Sequence, residues 1–517
     1  MRFDRSSGIL LHPTSLPGPA GSGDLGASAY HFVDWLTVAG QKVWQILPLG
    51  PVGMGDSPYM CLSAFAGEPS LIDLNELVQR GWLEQESLKP AYTINPNKID
   101  FAENRKLRLT CLRKAADKFF QMNVPADRND FQMFCSKQKS WLEDYALFMA
   151  LIEKYKGSEW NSWDERLVKR EPAAMKNVRK ELGDEINFWE FTQWCFSRQW
   201  LALKKYANDK GIKIVGDIPI FIAFQSADVW AHPQLFYLDE TMIPTVVAGV
   251  PPDYFSATGQ RWGNPLYRWD EMNKDGYQWF IERLRSTLDL VDIVRIDHFR
   301  GFSGYWEIPA SEKTAMYGRW VSGPGAKLFD AINSKLGRLP IIAEDLGMLT
   351  PDVFELRDRY NFPGMRILQF AFAGGPENSF LPHNYISNTV VYSGTHDNDT
   401  TIGWFHSATD REKEYVKKYI GTDGKNISWD FIRLASESVA DVAVFPMQDV
   451  LSLGNEARMN MPGQALGNWG WRFTWDQVKP HHAMDLYEIS ALTHRTSPDR
   501  LNLPQYPEGK PQPNGTK

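Results

Sequence analysis

Four places in the chain set carboxylates, with arginine or histidine, at the end of short apolar runs. They are Asp217 in IVGDIPIF, Arg295 and Asp297 in VRIDHFRG, Glu344 and Asp345 in IIAEDLG, and His396 and Asp397 in SGTHDNDT. Two chemistries use several carboxylates at one mouth. Hard oxygen ligands hold magnesium or calcium, while an ionised carboxylate facing a protonated carboxyl cleaves a glycosidic bond. Arg295 favours the second. It stands two residues before Asp297, so on a strand both side chains point the same way. A guanidinium there holds Asp297 ionised, as a nucleophile requires, and repels a metal ion. The chain has no GxxxxGK[ST] phosphate loop, no HExxH and no G-x-S-x-G elbow.

These acids need elements that aim them at one point. Eight short apolar runs recur: 8–11, 43–47, 213–218, 292–296, 340–343, 366–370, 389–393 and 442–445. Continuous apolar runs suit parallel strands buried on both faces. Amphipathic stretches such as 277–290 and 427–440 separate most of them, which favours an α/β architecture. Eight strands is the count of a (β/α)8 barrel, whose active face lies at the C-terminal strand ends.

The spacing is uneven. The gap between the second and third runs holds helical patterns, with Leu109, Leu112, Ala116 and Phe119 on one face and Leu142, Tyr145, Met149 and Ile152 on another. It predicts a mostly helical insertion at about 75–200. A second insertion, at about 220–290, contains the Gly-, Pro- and aromatic-rich segment 246–269, expected to form an ordered loop with exposed rings. Residues 1–495 are expected to form the catalytic barrel, and the proline-rich 496–517 a loose tail.

Composition narrows the function classes. The charge balance is 56 − 63 = −7, which supplies no basic field for nucleic acid. No run approaches a membrane span, and the N-terminal apolar stretch is too short for a signal peptide. Four scattered cysteines without a CxxC pair fit a reducing cytoplasm better than a disulfide scaffold. Twenty tryptophans imply a large core, platforms for stacking sugars, or both.

The longer motifs carry a resemblance. SSGILLHPTSLPG, WQILPLGP, GDSPYMCLSAFAG, GDIPIFIA, GVPPDYFSATGQRWGNPLY, VRIDHFRG, IIAEDLG, SGTHDNDTTIGW, ARMNMPG and NWGWR are similar to the amylomaltases, the 4-α-glucanotransferases of glycoside hydrolase family 77. The resemblance covers nearly the whole chain. It implies a (β/α)8 barrel with inserted subdomains, and retaining transfer of α-1,4-glucan segments between chains. By motif, Asp297 resembles the nucleophile, Glu344 the general acid/base, and Asp397 a third acid gripping ring hydroxyls. Asp217, Arg295 and His396 resemble a polar cage around the same glucose. Tyr59, Tyr254 and Phe255 resemble stacking surfaces, joined by Gln260 and Trp262. His298 and Asp345 are expected to face away from the site, and the family pattern selects Asp397 over Asp399. The implied partners are α-1,4-glucans, with no cofactor or metal, and the protein is expected as a monomer or homodimer. A mainly hydrolytic α-glucosidase and an inactive glucan-binding protein are the alternatives.

Overall fold

The computed structural model describes residues 2–18, 21–253, 256–347 and 349–497. Its twelve strands are β1 (Ser6–Leu10), β2 (Val43–Gln45), β3 (Lys213–Pro219), β4 (Val246–Val250), β5 (Gln260–Pro265), β6 (Ile293–Asp297), β7 (Gly304–Pro309), β8 (Arg319–Ser322), β9 (Ile341–Ala343), β10 (Gly364–Ile367), β11 (Thr389–Tyr392) and β12 (Val442–Pro446). Eight of them form one parallel sheet in the order β10-β11-β12-β1-β2-β3-β6-β9. These are the eight runs read from the sequence, wrapped into a (β/α)8 barrel. The largest boundary shift is at 366–370, where the strand stops at Ile367 and Leu368–Phe370 turn as a 3-10 helix.

Alternation along the strands explains why those runs are apolar throughout. Leu10, Val43, Val215, Ile293, Ile342, Met365, Val390, Tyr392 and Val444 fill the barrel interior. Their neighbours Ile9, Trp44, Ile214, Val294, Ile341, Val391 and Ala443 face outward and join the larger core beneath the helices. β1 and β2 approach closely: a Cβ on Gly8 would lie 2.2 Å from the Val43 carbonyl oxygen of β2.

The ring has a seam. β9 and β10 are the two ends of the sheet order, linked by a bond from the Ala343 N–H to the Pro363 carbonyl (3.0 Å). Asp345, directly after β9, does the rest. One of its oxygens accepts the Met365 N–H of β10 at 2.6 Å, and the other accepts from Arg357 at 2.5 Å, with Arg366 at 3.5 Å.

Between β2 and β3 the chain builds helices Phe101–Met122, Pro125–Lys137, Lys139–Lys154, Pro172–Glu181 and Gly183–Asp209. Rings of Trp82, Phe119, Phe131, Phe191 and Trp194 interlock there, edge to face or tilted. Trp35, Trp44, Trp82, Trp160, Trp194, Trp200 and Trp230 are fully buried, so these tryptophans are core.

A second, antiparallel sheet has the order β5-β4-β7-β8. Ala248 and Tyr305 on one face join the main core, while Val247 and Ile308 on the other make a small separate core with Ala315. Among the described residues, no helix is long and apolar enough to cross a membrane. The expected tail lies, from residue 498 onward, outside the described residues.

Candidate active site

The charged cluster grows from strand register. β3 and β6 pair so that Asp217 is opposite Arg295 and Pro219 opposite Asp297. Both side chains of the first pair point into the barrel, and the Arg295 guanidinium reaches Asp217 at 2.6 Å and Asp297 at 3.0 Å. Asp217 therefore stands two residues inside its strand rather than at the end. Arg295 is 3% exposed and the Asp217 carboxyl is fully buried, whereas the Asp297 side chain keeps 29% of its surface. The inner carboxylate anchors the guanidinium and the outer one faces the open mouth. Burial pushes Asp217 up to about 6 against the pull of Arg295.

Glu344 follows β9, and its backbone continues the pairing with β6: its N–H donates to the Ile296 carbonyl and its carbonyl accepts from Phe299. Its carboxyl oxygens accept backbone N–H groups of His298 (2.7 Å) and Leu346 (2.8 Å). Even so, burial and then the neighbouring Asp297 charge raise Glu344 to about 8. Two backbone donors fix the carboxyl while the surroundings keep its proton on at neutral pH.

The loop after β11 completes the ring. His396 lies face to face with Tyr59 (centroids 5.2 Å, planes 17° apart), and its Nε2 is 2.8 Å from the Tyr59 hydroxyl. That hydroxyl also donates to Asp217 at 2.8 Å, so Tyr59 is built into the cage as well as offering a ring. Asp397 approaches His396 Nε2 at 3.5 Å. The Asn460 amide donates to the Asp397 carboxylate at 2.6 Å, and Arg458 donates to the Asp397 carbonyl at 2.8 Å. Asp399 turns elsewhere, to Asn455 and the Thr400 N–H.

Sequence reasoning missed several contributors. Asn460 and Arg458 sit in ARMNMPG, a motif quoted without roles for them. Trp469 flanks both Tyr59 and His396. His298 does not alternate away as a strand residue would, because β6 ends at Asp297 and His298 takes a left-handed conformation (φ 54°). That turn sends its N–H to Glu344 and its ring against Trp262, edge to face at 4.8 Å. Trp262 in turn donates to Gln260 at 3.2 Å. Asp345 does face away from Glu344, yet it is buried in the seam rather than set at the surface. Tyr254 and Phe255 lie outside the described residues.

GSGDLG at 21–26 has dinucleotide-fingerprint spacing, but β1 ends well before it. Asp24 already accepts the Gly26 N–H at the start of helix Ala27–Val38 and pairs with Arg108. A carboxylate occupies the place a phosphate would need.

A parallel eight-stranded barrel is an architecture of many enzymes, and a guanidinium-bound carboxylate beside a buried carboxyl at its C-terminal strand ends suits the glycoside-cleaving class. Within that class, a model of the 4-alpha-glucanotransferases, glycoside hydrolase family 77, matches residues 11–477, and the chain belongs to that family. It is 50% identical to a 4-alpha-glucanotransferase of Thermus thermophilus over 96% of this chain and all of that one. It is also 50% identical to one of Synechocystis sp., over 95% and 98% of the two chains. A solved amylomaltase of Streptococcus agalactiae, in complex with acarbose, superposes with a TM-score of 0.93 at 40% identity, covering 95% of this chain and all of that one.

Proposed function

We propose that this 4-alpha-glucanotransferase works by double displacement at Asp297 and Glu344. The carboxylate of Asp297 attacks the anomeric carbon of a bound α-1,4-glucan while Glu344 gives its proton to the departing 4-oxygen. A covalent glucosyl ester forms and the glycosidic bond breaks. The 4-hydroxyl of a second glucan then attacks the ester, giving its proton to Glu344, and the configuration at the anomeric carbon is retained. The observation that carries this reading is the pairing of a guanidinium-bound Asp297 with a Glu344 held protonated nearby.

Asp397, oriented by Asn460, and His396, held by Tyr59, are positioned to bind hydroxyls of the reacting ring, where such bonds strengthen in the transition state. Gln260, Trp262, Tyr254 and Phe255 are assigned to flanking glucose units, with the 249–265 loop excluding water so that a sugar hydroxyl arrives second. The step needs no metal or organic cofactor. The free thiols of Cys61, Cys111, Cys135 and Cys195 support a cytoplasmic location.

The test is a product ladder from maltotriose with EDTA present. Glucose together with maltopentaose and longer chains is expected. Glucose and maltose alone would establish hydrolysis, and unchanged maltotriose would remove the roles given to Asp297 and Glu344.

A further inference from the structure

Beside the small core of Val247, Ile308 and Ala315 on the antiparallel sheet, the described chain leaves a group of large side chains exposed. Trp306 of β7 and Trp320 of β8 are direct cross-strand partners, with rings edge to face at 5.2 Å. Arg300 lays its guanidinium over the Trp320 ring at 3.8 Å. The connection between the two strands adds Met316 and Tyr317. Tyr317 is 69% exposed, Met316 48% and Trp320 44%. Three large apolar side chains this open, within five residues, form a patch that ordinary folding does not call for.

The patch is tied to the site. The Ala315 N–H, one residue before Met316, donates to the Thr258 carbonyl at 3.1 Å, and Arg261 donates to the Ala310 carbonyl at 3.0 Å. A Cβ on Gly259 would lie 2.8 Å from that of Ala315. Four residues on from Thr258, Trp262 touches His298, whose N–H holds Glu344. Thr258 to Trp262 spans at most about 14 Å of chain. One short stretch thus touches the connection that carries the exposed rings and, through Trp262, the catalytic surroundings.

We propose that Tyr317 and Trp320, with Met316, form an outlying platform for the distal part of a long α-glucan whose cleavage point lies at Asp297. This rests on the functional reading above. The occupant follows from continuity with the 256–262 stretch and from the chemistry of the patch. Flat rings match the apolar faces of glucose units, and a polymer is the substrate long enough to span both places. The platform acts on binding of long chains and leaves the chemical step alone.

The experiment compares long amylose with maltotriose for wild type, Tyr317→Ser, and Tyr317→Ser with Trp320→Ala. Tyr317 is exposed enough that its variant keeps the fold, which circular dichroism checks. The expected result is a rise of about threefold or more in KM for amylose, larger in the double variant, with kcat for amylose and both constants for maltotriose unchanged. An unchanged amylose KM in the double variant overturns the platform, and so does an equal rise for both substrates. Sedimentation velocity supplies another arm: a wild-type dimer dissociated by Tyr317→Ser assigns the face to a second copy of the chain and overturns the glucan assignment. If wild type transfers nothing, the functional reading has failed, and retardation in amylose-containing native gels still decides whether the face binds glucan.

Discussion

At the scale of single residues, the site depends on one guanidinium serving two carboxylates and on one carboxyl kept neutral. Because Glu344 sits at about 8, it is protonated through neutral pH and ionises above that value. We expect kcat/KM for maltooligosaccharides to fall as pH rises through about 8, because the proton donor is lost. With an α-maltosyl fluoride donor, whose leaving group needs no proton, the fall should be absent; a pH–rate series with both donors checks this. The shift has a cost in stability. Above about pH 4.5 the unfolded chain releases this proton while the native state keeps it until about 8, so Glu344 draws down stability across that window. The Arg295–Asp297 pairing was legible from sequence because a two-residue spacing on a strand has only one meaning. The roles of His298 and Asn460 were not. His298 acts through its backbone N–H in a left-handed turn, and no residue spacing encodes where a strand stops. Asn460 reaches Asp397 from 63 positions away, a contact made by chain closure.

At the scale of elements, all eight barrel strands were readable as apolar runs, since burial on both faces leaves no alternation to misread. The error at 366–370 has the same origin: Leu368 and Gln369 are buried in a turn, and burial alone does not distinguish a turn from a strand. What apolarity cannot show is how closely strands approach. Gly8 is the clearest case. Replacing it with alanine forces a methyl group into the Val43 carbonyl, so β1 and β2 must separate. We expect Gly8→Ala to cost about 1–3 kcal/mol, read as a lower urea midpoint. A variant as stable as wild type would show that β1 shifts without strain.

At the scale of the whole molecule, the barrel closes through a side chain. Seven strand pairs are joined by ladders, while β9 and β10 meet through Asp345 and one backbone bond. Truncating Asp345 to alanine takes the acceptor from the buried Met365 N–H and leaves the Arg357 guanidinium with only the exposed Asp358 as a carboxylate partner. Breaking a buried ion pair typically costs about 3–5 kcal/mol, and we expect a loss of that order in chemical denaturation. A loss below about 1 kcal/mol would mean that the flanking helices, and not Asp345, hold the seam. Sequence could place Asp345 on the far side of Glu344 but not inside a closure, because the seam between β9 and β10 exists only once the whole ring has formed.

The seam and the proton donor are consecutive residues, and this sets the order in which the molecule fails on heating. A barrel loosens first where it is joined most thinly. Any parting of β9 from β10 releases the chain from Asp345 onward, and with it the Leu346 amide that holds one Glu344 oxygen, while the His298 amide and the other strand pairs stay in place. Warmth therefore disarms the protein before it melts it: activity is lost in a state whose helices and most of whose sheet are still in place, and cooling lets Asp345 close the ring again.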